Sequence, residues 1–301
     1  MELRQLKYFL KLAETLNFST ASKELFITQT TLSQQILGLE RELDQQLFIR
    51  NSHEVLLTEA GQMLVPLARE SLHSVNSLLL RVQELKQMLT GELNIGVTFS
   101  FSSIIAEAMA DFLKLYPNVK LNVRYSSMAE LIDMLQRHEI DLVLAFKPTE
   151  QKPHVESQVL FNHRLAAIVN ERHPLASKKC VTLEELECYG LALPAKGMQA
   201  RNVFEKAIAG SGRQFKVKAE INNVNVLFKL VHQTNYATVL SEGTVIDENG
   251  LRAVPIDVEG GNMVGCIHLL RDNYTKKSTL EFIRMLRQST AIIKNSTLMN
   301  L

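Results

Sequence analysis

Residues 17–61 constrain this chain most, because two helical patterns meet there across a break of only three residues. In the second pattern Leu32, Ile36, Leu39 and Leu43 recur at spacings of three or four, the apolar stripe of an amphipathic helix. Ahead of it, Ala21 and Leu25 fall on one face of a shorter helix. Ser19 is placed to cap that helix, its hydroxyl accepting from an otherwise orphaned backbone N–H. Phe26-Ile27-Thr28 interrupts the pattern, and Thr28 reads as the cap of the longer helix. Two helices joined by so short a turn form a helix-turn-helix, whose second helix can lie in a DNA major groove.

The first turns of that second helix expose Gln29, Thr30, Thr31, Ser33, Gln34 and Gln35. An ordinary solvated face would mix Glu with Lys; this one offers uncharged donors and acceptors. Such groups suit base edges, since a glutamine bonds adenine bidentately and a threonine methyl meets the thymine methyl. A polar helix face with no partner has the same composition, and the residues alone leave both readings open.

A family resemblance separates them. Ala21, Leu25, Gln29, Leu32-Ser33, Ile36, Leu39-Glu40, Leu43, Leu47-Phe48, Arg50 and Leu57-Thr58-Glu59-Ala60-Gly61 stand as in the winged helix-turn-helix that the chain resembles, that of LysR-type transcriptional regulators. The resemblance implies double-stranded DNA as partner, bound at an inverted repeat. Two short β-rich runs, 47–50 and 55–57, flank the polar tip Asn51-Ser52-His53-Glu54 and read as a hairpin, the wing. In the family the wing approaches the backbone or minor groove and is usually basic, so Arg50, Ser52 and His53 join Ser19, Thr28, Gln29, Thr30, Thr31, Ser33 and Gln34 as the expected DNA-contacting residues. Here Arg50 is the wing's only fixed positive charge. Up to Ala60 six basic residues face eight acidic ones, a balance of −2. Phosphate neutralisation supplies most non-specific affinity, so weak, weakly salt-dependent binding to random duplex is expected.

From Glu59 to Leu89 one long helix is expected. Leu64, Ala68, Ser71, Val75, Leu78, Val82, Leu85 and Leu89 follow the alternating spacing of a coiled-coil seam. A helix packed on its own domain is the alternative; the resemblance implies a dimerising linker helix. The dimer would set two recognition helices roughly 34–36 Å apart. Tetramers and contact with RNA polymerase are further implications of the resemblance.

Beyond Thr90-Gly91 the texture changes. Strands at 92–97, 119–125 and 141–146 alternate with helices at 104–115 and 127–137, the mark of βαβ units and a parallel sheet. L-N-I-G, D-F-L-K-L-Y-P-N-V-K-L and H-E-I-D-L-V-L-A-F resemble the family's effector domain. The fold class is therefore α/β: a winged helix-turn-helix (1–58), a linker helix (59–90) and a two-lobed, periplasmic-binding-protein-like effector domain (91–301). Lobe one takes 91–161 and 266–301, and lobe two 162–265. Within lobe two an apolar run at 165–169, strands at 190–193, 215–220 and 237–240, and helices at 181–186, 199–209 and 224–232 are expected. The chain departs from the family at Thr234-Asn235-Tyr236 and Ser241-Glu242, where a glycine-containing turn and a proline are usual, so the cleft wall should differ there.

Ligands of α/β sheets sit at the carboxyl ends of strands, where helix N-termini offer N–H groups to anions. Thr98, Ser100, Phe101, Ser102 and Ser103 follow the first strand, Ser127 heads a helix beside Ser126, Phe146 ends the third strand, and Ala195-Lys196 follow a lobe-two strand. These would hold a small, anionic effector; simple helix capping is the alternative for the serines. T-F-S-F, M-A-D-F and L-A-F-K-P are closest to the cyanate-operon branch of the family.

At 301 residues the chain exceeds one typical domain, and 46% hydrophobic with 22% charged residues describes a globular protein. No apolar run reaches a membrane span of ~18 residues. The amphipathic start M-E-L-R-Q-L-K is no secretory signal, and cysteines 180, 188 and 266 form no CxxC, so a reducing cytoplasm is expected. No HExxH, P-loop, GxSxG or GxGxxG occurs, and the eight histidines lack metal-ligand spacing. A catalytic site, a metal and a cofactor are therefore not expected. The other reading that fits is a cytosolic small-molecule-binding protein with vestigial DNA binding.

Overall fold

The structure, a computed structural model, describes residues 1–50, 54–84, 90–148, 152–246, 248–271, 274–290 and 292. Two compact units result, Met1–Met88 and Leu89–Leu301.

The first unit contains α1 (Leu3–Thr15), α2 (Phe18–Glu24), α3 (Gln29–Leu43), β1 (Phe48–Arg50), β2 (Val55–Leu57) and α4 (Glu59–Glu84). Leu32, Ile36 and Leu39 of α3 are fully buried against Leu6, Phe9 and Leu12 of α1 and against Ala21, Leu47, Phe48 and Ala68. Leu43, expected in the stripe, is instead 37% exposed. The helix ends there, with Asp44 left-handed at its C-cap, and the next helical position on the inner face has no core left to fill. The short turn before α3 has its own logic. Phe26 N–H donates to Lys23 O and Ile27 N–H to Ser22 O, the paired bonds of a Schellman motif. Its left-handed position, where glycine is usual, is held by Phe26 at φ 55° with the side chain 95% exposed.

Gly61 shows why the hairpin leads into α4 as it does. Thr58 hydroxyl donates to Gln46 O and accepts from Gly61 N–H, and a Cβ on Gly61 would stand 2.3 Å from Leu47 O. In α4, Ala68 is buried while Met63, Leu67 and Leu78 are exposed. The expected seam positions 85 and 89 lie outside the described residues.

The second unit is built on a seven-stranded sheet ordered β10-β6-β11-β5-β3-β4, with β9 also on β6. Its strands are β3 (Gly91–Val97), β4 (Val119–Tyr125), β5 (Leu142–Phe146), β6 (Val155–Asn170), β9 (Thr238–Ser241), β10 (Leu251–Pro255) and β11 (Asn262–Leu270). A parallel pair, β7 (Gly190–Pro194) and β8 (Lys216–Ile221), stands beside it. The helices are α5 (Ser102–Leu115), α6 (Met128–Gln136), α7 (Leu183–Glu187), α8 (Gln199–Ile208), α9 (Val224–Gln233) and α10 (Lys277–Gln288).

The main sheet is mixed, which corrects the expected parallel one. β3 pairs in parallel with β4 and β5, whereas β6 and β11 run antiparallel to each other and to their remaining neighbours. β6 was legible only as the apolar run 165–169, yet it spans sixteen residues. Its first part, to Arg164, pairs with β11; from Leu165 it pairs with β9 and then β10. This one strand therefore runs through both halves of the unit, and β11 returns alongside it. β10 has no counterpart in the sequence reading. It is an edge strand ending in Pro255, the place in a sheet where a missing N–H is tolerated.

Candidate nucleic-acid interface and effector cavity

The recognition helix is set by its cap. Thr28 hydroxyl accepts from Thr31 N–H at 3.1 Å and shares a 2.8 Å bond with the Thr31 hydroxyl. Gln29, Thr30, Thr31 and Gln34 are exposed, and Ser33 and Gln35 half-buried. Ser19 is not a cap. Asn17 takes that role, accepting from Thr20 N–H at 3.0 Å, and Ser19 lies inside α2 with its side chain exposed. An asparagine caps as well as a serine, and starting the helix two residues earlier lets Phe18 join the core. Ser52 and His53 lie outside the described residues.

Arg50 is tied inward. Its guanidinium donates to Glu40 Oε2 at 2.7 Å and lies 5.2 Å from the Phe18 ring centroid. Glu40 Oε1 accepts the backbone N–H groups of Leu47 and Phe48 at 2.9 and 3.2 Å. One buried carboxylate thus joins recognition helix to wing. Lys11 bridges Glu14 and Glu24, and Arg4 pairs with Glu2. The Glu14 and Glu24 hydrogen bonds raise the Lys11 pKa above its ordinary value. Of the six basic residues up to Ala60, only Lys7, Lys23 and Arg41 carry no ion pair among the described residues.

A cavity of about 460 Å³ opens in the second unit. Thr98, Ser100, Ser127, Phe146 and Lys196 all line it, as their positions at strand ends predict. Phe101 and Ser102 do not. Phe101 is fully buried, packed on Phe146 and Phe161 at 5.2 and 5.4 Å. Ser102 donates to Phe99 O at 2.8 Å and is exposed. A 3-10 turn over Phe99–Phe101 rotates the loop, so that Phe99 faces the cavity where Phe101 was expected. Phe99 stacks on Tyr125 at 5.2 Å and 21°, forming an aromatic wall. Met198, Gln199 and Asn222 complete the lining. Asn222 was accessible to the strand-end rule, since β8 ends at Ile221; Tyr125 likewise ends β4.

Among the described residues, Lys196 is the single charged side chain of the lining, which contains no carboxylate. The starts of the Phe99 turn, α6 and α8 all border the cavity, and helix starts carry partial positive charge. Part of the capping alternative holds. Ser127 hydroxyl accepts from Glu130 N–H, Ser126 bonds the Glu130 carboxylate, and Thr98 donates to Leu144 O. Ser100 hydroxyl has no hydrogen bond among the described residues.

The departure at Ser241-Glu242 has a structural account. Ser241 hydroxyl bonds buried His163 Nδ1 at 2.9 Å, and Glu242 accepts Arg164 N–H at 2.8 Å and its guanidinium at 3.2 Å. Both residues latch the end of β9 onto β6 where that strand changes partners. Tyr236 rests over Gly190, where a Cβ would meet its ring at 2.8 Å.

Cys180 and Cys188 are exposed, while burial pushes the Cys266 thiol up to about 11. Among the described residues no cluster of three metal-ligating side chains occurs, and no helix is long and apolar enough to cross a membrane.

Two family models match the chain. The bacterial regulatory helix-turn-helix protein model of the lysR family covers residues 3–62, and the LysR substrate binding domain covers residues 86–291. The chain belongs to the LysR family of DNA-binding transcriptional regulators, proteins with an effector-binding domain that are not enzymes. Among its relatives is the uncharacterized HTH-type transcriptional regulator YnfL of Escherichia coli, 36% identical over 188 residues. That match spans 62% of this chain and 63% of YnfL. A full-length OxyR variant from Pseudomonas aeruginosa shares the fold with a TM-score of 0.70 at 21% identity, over 98% of this chain and 96% of that one. CbnR complexed with its target DNA does so with a TM-score of 0.64 at 19% identity, over 96% and 99%.

Proposed function

We propose that this regulator's promoter binding is modulated by a small organic anion held in the cavity at Thr98, Ser100, Ser127 and Lys196. The observation that carries the reading is the lining among the described residues: one lysine, no carboxylate and three helix starts around one space. T-F-S-F, M-A-D-F and L-A-F-K-P resemble the cyanate-operon branch, which makes cyanate one ligand to test. At about 460 Å³ the cavity is far larger than a three-atom anion. An organic acid whose apolar body rests on Phe99 and Tyr125 fits the aromatic wall better. A thermal-shift series with cyanate and small mono- and dicarboxylates tests this. An active ligand raises the melting temperature in proportion to the logarithm of its excess, and Lys196→Ala abolishes the rise. A flat response to every anion contradicts the reading.

The regulator acts as a cytoplasmic homodimer, or a pair of dimers, on an inverted repeat, in contact with RNA polymerase. Exposed Met63, Leu67 and Leu78 along α4 support the dimer, and sedimentation of a monomer at micromolar concentration would contradict it. Effector binding shifts the population between two arrangements of the protomers, which requires different affinities for the two. A second reading, a cytosolic binding protein with vestigial DNA contact, draws on the few uncommitted cations of the first unit.

A further inference from the structure

A second cavity, of about 390 Å³, is separate from the one above and shares none of its lining. Its polar lining includes Lys147, Lys152, His154, Glu156 and Arg271. The topology explains why cations gather there. β5 ends at Phe146, opposite Gly265 of β11, and β6 begins at Val155, opposite Leu270 of the same strand. The end of β5 and the start of β6 therefore stand five residues of β11 apart, roughly 17 Å. Lys147 stands at one end, its N–H donating to Val264 O at 2.7 Å. Arg271 stands at the other, its N–H donating to His154 O at 2.7 Å. His154 is held at φ 61°, a left-handed conformation that residues with a Cβ seldom adopt.

Lys147, Lys152 and Arg271 have no ion pair among the described residues, and Glu156 accepts from Gln158 at 2.9 Å. Among the described residues, three fixed positive charges therefore border this cavity with one carboxylate, that of Glu156. Like charges around one space repel each other unless a ligand offsets them.

We propose that this cavity is a second effector site, for an elongated small polyanion with phosphate or carboxylate groups at both ends. Lys147 and Arg271 hold the two ends and Lys152 the middle. The proposal does not rest on the first cavity's ligand. Calorimetric titration of the full chain at constant ionic strength tests it, with fructose 1,6-bisphosphate as the phosphate probe and suberate as the carboxylate probe. Saturable binding of either supports the site, and whichever binds names the source. Inorganic phosphate, which reaches one end only, should bind at least about tenfold more weakly. Lys152→Ala with Arg271→Ala should weaken the better probe by about tenfold or more, Arg271→Lys should retain part of it, and both effects should persist on a Lys196→Ala background, where the first cavity has lost its cation. Melting curves establish that each variant is folded. The proposal is overturned if neither probe binds saturably, if phosphate binds equally well, or if binding survives the double variant. Loss of binding in Lys196→Ala would also overturn it, by moving the probe to the first cavity while leaving the reading of that cavity intact.

Discussion

Glu40 answers three donors with one carboxylate: two backbone N–H groups at the start of the wing and the Arg50 guanidinium. Removing a buried acceptor leaves its donors unsatisfied, so Glu40→Ala should cost about 3–5 kcal/mol in urea unfolding of the full chain. A loss below about 1 kcal/mol, the worth of an exposed pair, would show that water replaces the carboxylate there. Gln29 is the complementary case, an exposed side chain at the first turn of the recognition helix with nothing structural to hold. Gln29→Ala should lower discrimination between operator and random duplex by about 1–3 kcal/mol while leaving stability unchanged. An equal loss on all sequences would mean that Gln29 only positions the backbone. The two residues show what was legible at this scale. The apolar stripe and the polar face of α3 could be read from spacing, because helical period is local. The commitment of Arg50 to Glu40, ten residues earlier, is tertiary, and no local pattern marks it.

Among elements, β6 teaches the most about what a sequence conceals. Its second half is a continuous apolar run, buried from Leu165 to Val169, and reads as a core strand. Its first half, Val155 to Leu160, is half-buried and rich in polar residues, so neither periodicity nor composition announces a strand. That half is nevertheless what pairs with β11. His268 of β11 sits in this ladder, fully buried, its Nε2–H donating to Ala145 O and its Nδ1 accepting from the Ser157 hydroxyl. Burial lowers its pKa below the ordinary histidine value of 6.5, and burial also lowers that of His173. The folded chain thus binds fewer protons than the unfolded chain below that value. Stability is complete above about pH 6.5 and falls as the pH drops below it. The melting temperature should decline between about pH 7 and pH 5, and His268→Gln should flatten part of that decline. A melting temperature that rises on acidification would contradict the assigned neutral tautomers.

At the scale of the molecule, the proposed reading assigns recognition and affinity to different parts. The exposed glutamines and threonines of α3 offer uncharged donors and acceptors, which on the proposed reading would meet base edges. Few uncommitted cations accompany them, since Arg4, Lys11 and Arg50 are already paired within the first unit. Non-specific binding should therefore be weak with a shallow salt slope, each neutralised phosphate contributing about 0.9 to the slope. On the proposed dimer, specific occupancy would then depend on two recognition helices acting together on an inverted repeat. The effector unit follows the same division: strand-end positions could be read from the βαβ alternation, whereas the turn that presents Phe99 instead of Phe101 could not, because its rotation is set by packing on Phe146 and Phe161. The most direct test is a footprint of the full chain on the DNA upstream of its own gene, at physiological salt and with random duplex as competitor. Protection of an inverted repeat on one face of two successive turns is the result expected of a LysR-family regulator built this way. No protected repeat, or protection that random duplex removes as readily as the operator does, would contradict the account.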